Sequence, residues 1–220
     1  MKRWMLFALM ALAVGGIVLS GCKKKEDSKP TPEGFSTGLY RVTGTKAGVK
    51  VVSIKTKDEV EKNLFFLKMI AGAVKDETKA NQVKEVIIDA FVSISELGLE
   101  FKADNKVSLN LAKGFDKAPE GSYTASNANV VVKFGELTPK NNAGEWEKVI
   151  AAQFSGKEVT LAIQEDGKLE WALPSSQLHE KACAILRSKG LEAAATALEE
   201  ALKMAPKSVT EYNFYFTKVR

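Results

Sequence analysis

Leu99-Glu100-Phe101-Lys102-Ala103-Asp104-Asn105-Lys106-Val107-Ser108-Leu109-Asn110-Leu111 is the stretch that decides the fold. Apolar side chains fall at every second position on either side of Asp104-Asn105. Successive side chains of a strand point to opposite faces, so this is the pattern of two half-buried strands. Asp and Asn tolerate the positive φ of a tight hairpin turn, which makes the stretch an antiparallel hairpin.

The same grammar recurs twice downstream. Gly121–Ala125 and Asn129–Phe134 flank a turn around Asn127, and Glu158–Ile163 and Lys168–Leu173 flank Asp166-Gly167. Consecutive hairpins predict an antiparallel meander, either a sheet wet on one face or a barrel with a filled interior. Upstream, Gly38–Gly44 alternates as a first strand and Val49–Ile54 reads as a second. The chain closes on Tyr212-Asn213-Phe214-Tyr215-Phe216-Thr217-Lys218-Val219, an aromatic strand that needs a partner. Pairing it with the Tyr40 strand would close a barrel and protect both edges.

Between strands the period changes to that of a helix. Asp58–Val74 spaces Val60, Leu64, Leu67 and Ile70 by three and four, with Thr56 and Glu59 placed as a capping box. Lys79–Leu97 repeats the pattern, with Gly98 positioned to end it. Trp146–Phe154 fits a strand or a helix. A helical region follows Leu173, capped by Ser175 or Ser176, interrupted at Gly190, and continued as Leu191–Met204 before Pro206. The fold class expected is therefore α+β: an antiparallel hairpin-rich sheet or barrel with two helical insertions.

The first residues carry a different signal. Lys2 and Arg3 precede an uncharged, mostly apolar run from Trp4 to Ser20, which ends in Leu19-Ser20-Gly21-Cys22 and is followed by Lys23-Lys24-Lys25. A basic start, a short apolar core and small residues at its end are the parts of an export signal. Leu-Ser-Gly-Cys resembles the lipobox of bacterial lipoproteins. That resemblance implies cleavage before Cys22, diacylglycerol on its sulfur and a fatty acid such as palmitate on the new amino group. The organisation expected is a signal peptide over 1–21, a lipidated tether over 22–33 and one domain over 34–220. Lys23 differs from the Asp that retains many lipoproteins in the inner membrane, which implies the outer membrane. Lys25-Glu26-Asp27 is similar to the charged export signals of Bacteroidota surface lipoproteins.

The domain has a resemblance of its own. Gly38-x-Tyr40 recurs as Gly121-Ser122-Tyr123, with Phe101-x-x-Asp104-Asn105 before it. This is similar to the small lipocalin-like lipoproteins of Bacteroidota and implies a lipocalin-like barrel. The helices of 57–97 and of the C-terminal region depart from a plain lipocalin.

Charge excludes one class of partner. The chain carries 32 basic and 27 acidic residues. Setting aside Lys2, Arg3 and the four tether lysines, and Glu26, Asp27 and Glu33, leaves 26 basic and 24 acidic residues in the domain. Near balance gives no electrostatic case for nucleic acid. Cysteine usage is equally spare: with Cys22 lipidated, Cys183 has no partner in the chain, and the domain must rely on its core.

Chemistry-bearing constellations are few. His179 and Cys183 lie four apart on a helix, a spacing that can activate a thiol, but no third group or oxyanion site accompanies them. Asp104-Asn105, Asp116 and Glu165-Asp166-Gly167 lack the oxygen spacing of a calcium loop. No catalytic residue, cofactor or metal site is expected. Tyr40, Trp146, Trp171 and Tyr215 are the candidate ligand-lining residues. The expected role is non-enzymatic binding of a small apolar ligand or an envelope protein. The alternatives are an envelope enzyme or enzyme inhibitor with an unrecognised site, and a self-assembling structural surface lipoprotein.

Overall fold

In the computed structural model the decisive hairpin forms around Asp104 and Asn105, which take φ of 60° and 57°. The structure describes residues 34–47, 50–64, 74–204 and 211–219. The expected signal peptide and tether, residues 65–73 and Pro206 lie outside the described residues; the helix expected over Asp58–Val74 is not continuous, because it ends at Asn63 and Leu64 is extended.

The strands are β1 (Gly38–Ala47), β2 (Lys50–Val52), β3 (Gly98–Phe101), β4 (Lys106–Asn110), β5 (Glu120–Ala125), β6 (Asn129–Lys133), β7 (Glu158–Ile163), β8 (Leu169–Pro174) and β9 (Glu211–Lys218). The helices are α1 (Lys57–Asn63), α2 (Glu77–Ser95), α3 (Glu145–Phe154), α4 (Ser175–Ser188) and α5 (Glu192–Met204). All pairings are antiparallel, and each of β3–β8 pairs with the next. The aromatic strand β9 returns to β1, with Val42 opposite Phe216 and Thr45 opposite Phe214. That pairing closes an eight-stranded barrel, an α+β, lipocalin-like fold. The short β2 is an addition: β1 pairs with β3 through Gly38–Arg41 and with β2 through Thr45–Ala47.

The two ends of the barrel differ. The short turns β3–β4, β5–β6 and β7–β8 lie at one end, and the helices and the longer loops lie at the other. Gly34–Thr37 approaches the hairpin end, where Phe35 stacks among Tyr40, Phe101 and Tyr123 at ring separations of 5.1–5.9 Å. Tyr40 donates to the Ser36 carbonyl at 3.0 Å and Tyr123 to the Lys102 carbonyl at 3.2 Å, so these buried phenols keep hydrogen bonds while their rings pack. Between the ends, Val42, Leu99, Leu109, Val130, Leu161, Leu169 and Phe216 are buried.

Local chemistry sets the helix ends. Thr56 and Glu59 form the expected capping box on α1, and Asp76 caps α2 through Lys79 N. The α4 C-terminus is a Schellman motif: Gly190 has φ of 73°, Leu191 N donates to Leu186 O, and Gly190 N to Arg187 O. Arg187 then bridges to Glu192 and Glu199, each at 2.9 Å, pinning α5 against α4.

Several local expectations need correction. Gly98 does not cap α2. The helix ends at Ser95 with Glu96 as C-cap, and Gly98 is already the first residue of β3. Neither Ser175 nor Ser176 caps α4, because β8 runs straight into the helix, Pro174 holds the cap position and Ser175 is buried. Asn127 does not take positive φ. Its turn is held by hydrogen bonds between Ser126 and Asn129. The second strand shrinks to Lys50–Val52, and Trp146–Phe154 belongs to a helix that buries Trp146, Ile150, Ala151 and Phe154.

Candidate functional site

A lipocalin-like barrel invites a search of its interior first. The helical end is filled by α2 and α3. Phe91 of α2 meets Tyr212 at 5.3 Å and Phe214 at 5.6 Å, ring centre to ring centre. The aromatic chain continues from Phe214 to Trp171, then to Phe154 of α3 and to Phe134. Phe134 lies against the place where a Gly121 side chain would stand: a Cβ there would be 2.7 Å from the ring and 2.3 Å from the Lys133 carbonyl. Glycine at this position lets the phenylalanine fill the barrel.

The four candidate ligand-lining residues do not converge. Tyr40 belongs to the aromatic cluster at the hairpin end. Trp146 is on α3, and its indole donates to Val86 O of α2 at 3.0 Å. Trp146 and Trp171 share a gap of about 10 Å³ with Ile94, Ile150 and Leu178. A single water needs roughly 10–15 Å³. Tyr215 alternates with the inward Phe214 and Phe216 and belongs to the opposite face, across from Gly44 and Glu170. Its phenol is pushed up to about 12, by burial first and then by the Glu170 carboxylate.

His179 and Cys183 are not brought together as a reacting pair. The His179 Nε2 lies 2.8 Å from the Tyr212 hydroxyl on β9, whereas the Cys183 thiol points to Ala195 O of α5 at 3.8 Å. Burial pushes the Cys183 thiol up, away from the reactive thiolate, and the Glu199 carboxylate adds to this. In a Cys22→Ser chain, where Cys183 is the only thiol, iodoacetamide at pH 7.5 should leave the folded protein unlabelled for hours and label it rapidly in urea. Fast labelling of the folded form would restore the nucleophile reading. Among the described residues, no group of three or more His, Cys, Asp or Glu is arranged to hold a metal ion. No helix among them is long and apolar enough to cross a membrane.

Two depressions among the described residues lie outside the barrel wall. One, of about 760 Å³, opens where β1 exchanges β3 for β2 as its neighbour. Arg41 and Thr43 of β1 line it with Asn110, Leu111, Lys113 and Val219. Gly98 contributes to its shape. Register places Gly98 between Arg41 and Asn110, and a Cβ there would be 3.5 Å from the side chains of both. Lys113 pairs with Glu96 at 2.8 Å and Lys140 with Asp116 at 3.4 Å, tying the 111–119 loop to α2 and to the 134–144 loop. A second depression of about 690 Å³ shares Phe115, Asp116, Ala118 and Lys140 with it. Apart from Asp116, set aside as a calcium ligand, none of these groove residues was legible as a site in the sequence, since an exposed arginine on an alternating strand has the signature of a solvated face.

Comparison with known proteins adds no relative: no family model, no curated protein and no solved structure matches this chain.

Proposed function

We propose that this chain is an outer-membrane lipoprotein, held by lipid on Cys22, whose barrel binds an envelope protein partner and catalyses no reaction. The observation that carries the partner half of this reading is the contrast between inside and outside. Aromatic side chains fill the barrel from both ends, and the groove of about 760 Å³ lies on its outer wall.

The topology supports the same arrangement. The chain enters the barrel at the hairpin end, and the helices and long loops occupy the opposite end. The loop that walls the groove lies at the end opposite to this entry, so it stands away from the point where a lipidated tether would join the domain. Two or more acyl chains make such an anchor stable, where one is marginal. Lys25-Glu26-Asp27 supports display at the cell surface.

A photo-crosslinking residue at Lys113 should capture a discrete protein adduct in intact cells. The same residue at Asn127, on a hairpin-end turn, should not, and Cys22→Ser should abolish both the adduct and fractionation with the outer membrane. Equal capture at both positions, or none at Lys113, would defeat the partner reading. Retention in the outer membrane by Cys22→Ser would defeat the anchor.

A further inference from the structure

We propose that the Arg41 groove takes an acidic, partly apolar stretch of extended polypeptide; this rests on the partner-binding reading above and names the chemistry of the partner. Four cations line the groove, Arg41, Lys55, Lys113 and Lys140, against two acids, Glu96 and Asp116. Both acids are already engaged, Glu96 by Lys113 and Asp116 by Lys140. Arg41 and Lys55 form no ion pair with any described residue. The groove therefore offers two cations without an ion pair among the described residues, Arg41 and Lys55, of which Lys55 also feels the Glu59 carboxylate, in a concave setting where field lines concentrate and solvent screens less than on a convex surface.

Apolar groups lie among the charges. Leu111 and Phe115 are buried and form the groove's floor, and Val219 joins it from β9's end at 47% exposure, one of two large apolar side chains left exposed among the described residues. A ligand of charge alone would leave Val219 uncovered. An extended chain presents side chains on alternate sides, so one segment can set carboxylates toward Arg41 and Lys55 and an apolar group on Val219.

The shape of the groove decides between a polypeptide and an anionic membrane. An extended chain can lie within the depression and bring carboxylates to Arg41 and Lys55, whereas a flat lipid surface meets only its rim. The adjoining depression does not extend the positive charge: Asp116 there is paired with Lys140 and Glu120 with Lys102, which leaves Glu136 against Lys117. Complementarity of this kind gives specificity and a salt-dependent on-rate.

The test uses the full-length lipoprotein in detergent and a fluorescent nonapeptide of alternating Glu and Leu, followed by anisotropy. The Lys-Leu counterpart and phosphatidylglycerol vesicles serve as competing probes. The Glu-Leu peptide should bind at least roughly fivefold more tightly than its Lys counterpart, and weaken by about tenfold in Arg41→Glu and in 0.5 M salt. Lys55→Glu should act in the same direction. Both side chains are exposed, so an unchanged melting temperature checks that each variant is folded. Equal binding of the two peptides, or indifference to both substitutions, overturns the proposal. Arg41-dependent binding of the vesicles without binding of the peptide also overturns it, in favour of a membrane contact. A Lys113 crosslink in cells combined with no acidic-peptide binding would retain the partner reading and reject this chemistry.

Discussion

Phe91→Ala should lower the stability of the domain by about 3–5 kcal/mol, the range for removing a fully buried phenylalanine. Phe91 is wholly buried, and its ring lies against Tyr212 and Phe214, at the start and middle of the strand that closes the barrel. Truncation would therefore leave a void at the junction of α2 with β9. Domains have about 5–15 kcal/mol of stability in total, so the variant should lose a large share of it. For a domain of this size the melting temperature should fall by roughly 10 °C.

Urea unfolding is the direct check. The midpoint should move to lower urea with an unchanged slope, since the surface exposed on unfolding stays nearly the same. Val51→Ala provides the comparison: Val51 is 48% exposed on β2, and its truncation should change stability by no more than about 0.5 kcal/mol. Similar effects from the two variants would mean that α2 is not packed into the barrel mouth.

The barrel was readable because a strand writes its faces into the sequence. Leu99, Phe101, Val107 and Leu109 alternate, and Asp104-Asn105 takes the positive φ its residue types permit. The closing strand was readable because its alternating aromatics required cover on both edges. The same alternation separates Tyr215 from Phe214 and Phe216, although an aromatic inventory alone groups them together. The third helix was harder: Trp146, Ile150 and Phe154 also fit a short apolar strand, and packing against α2 and β7 decides the matter. The groove was not readable at all. It arises where β1 changes neighbours, with residues from 41 to 219 meeting around it, and no local period records such a meeting. The His179–Cys183 spacing was correctly seen, but tertiary contacts turn the imidazole to β9 and the thiol to α5.

Acid should destabilise the domain through His179 as the pH falls from about 6.5 toward 4. His179 is the only histidine in the chain, so its contribution can be isolated. Burial lowers its pKa from 6.5 to about 4 in the folded protein, where its Nε2 and the Tyr212 hydroxyl share a 2.8 Å hydrogen bond. The unfolded chain takes up the proton near pH 6.5, and the folded chain resists it until about pH 4. Protons therefore favour the unfolded state throughout that window. The stabilisation is complete above pH 6.5 and is lost progressively as pH falls toward 4, amounting to about 2 kcal/mol between pH 8 and pH 5. Asp76, Glu59, Glu120 and Asp166 have lowered pKa values and remain ionised at pH 5, so their losses belong to lower pH. His179→Gln keeps a polar group able to meet Tyr212 but cannot titrate. Its stability should be nearly level from pH 8 to pH 5, while the parent falls. A parent that is also level across that range would show that the imidazole is not held neutral by the fold. A parallel fall in both would assign the acid sensitivity to other groups.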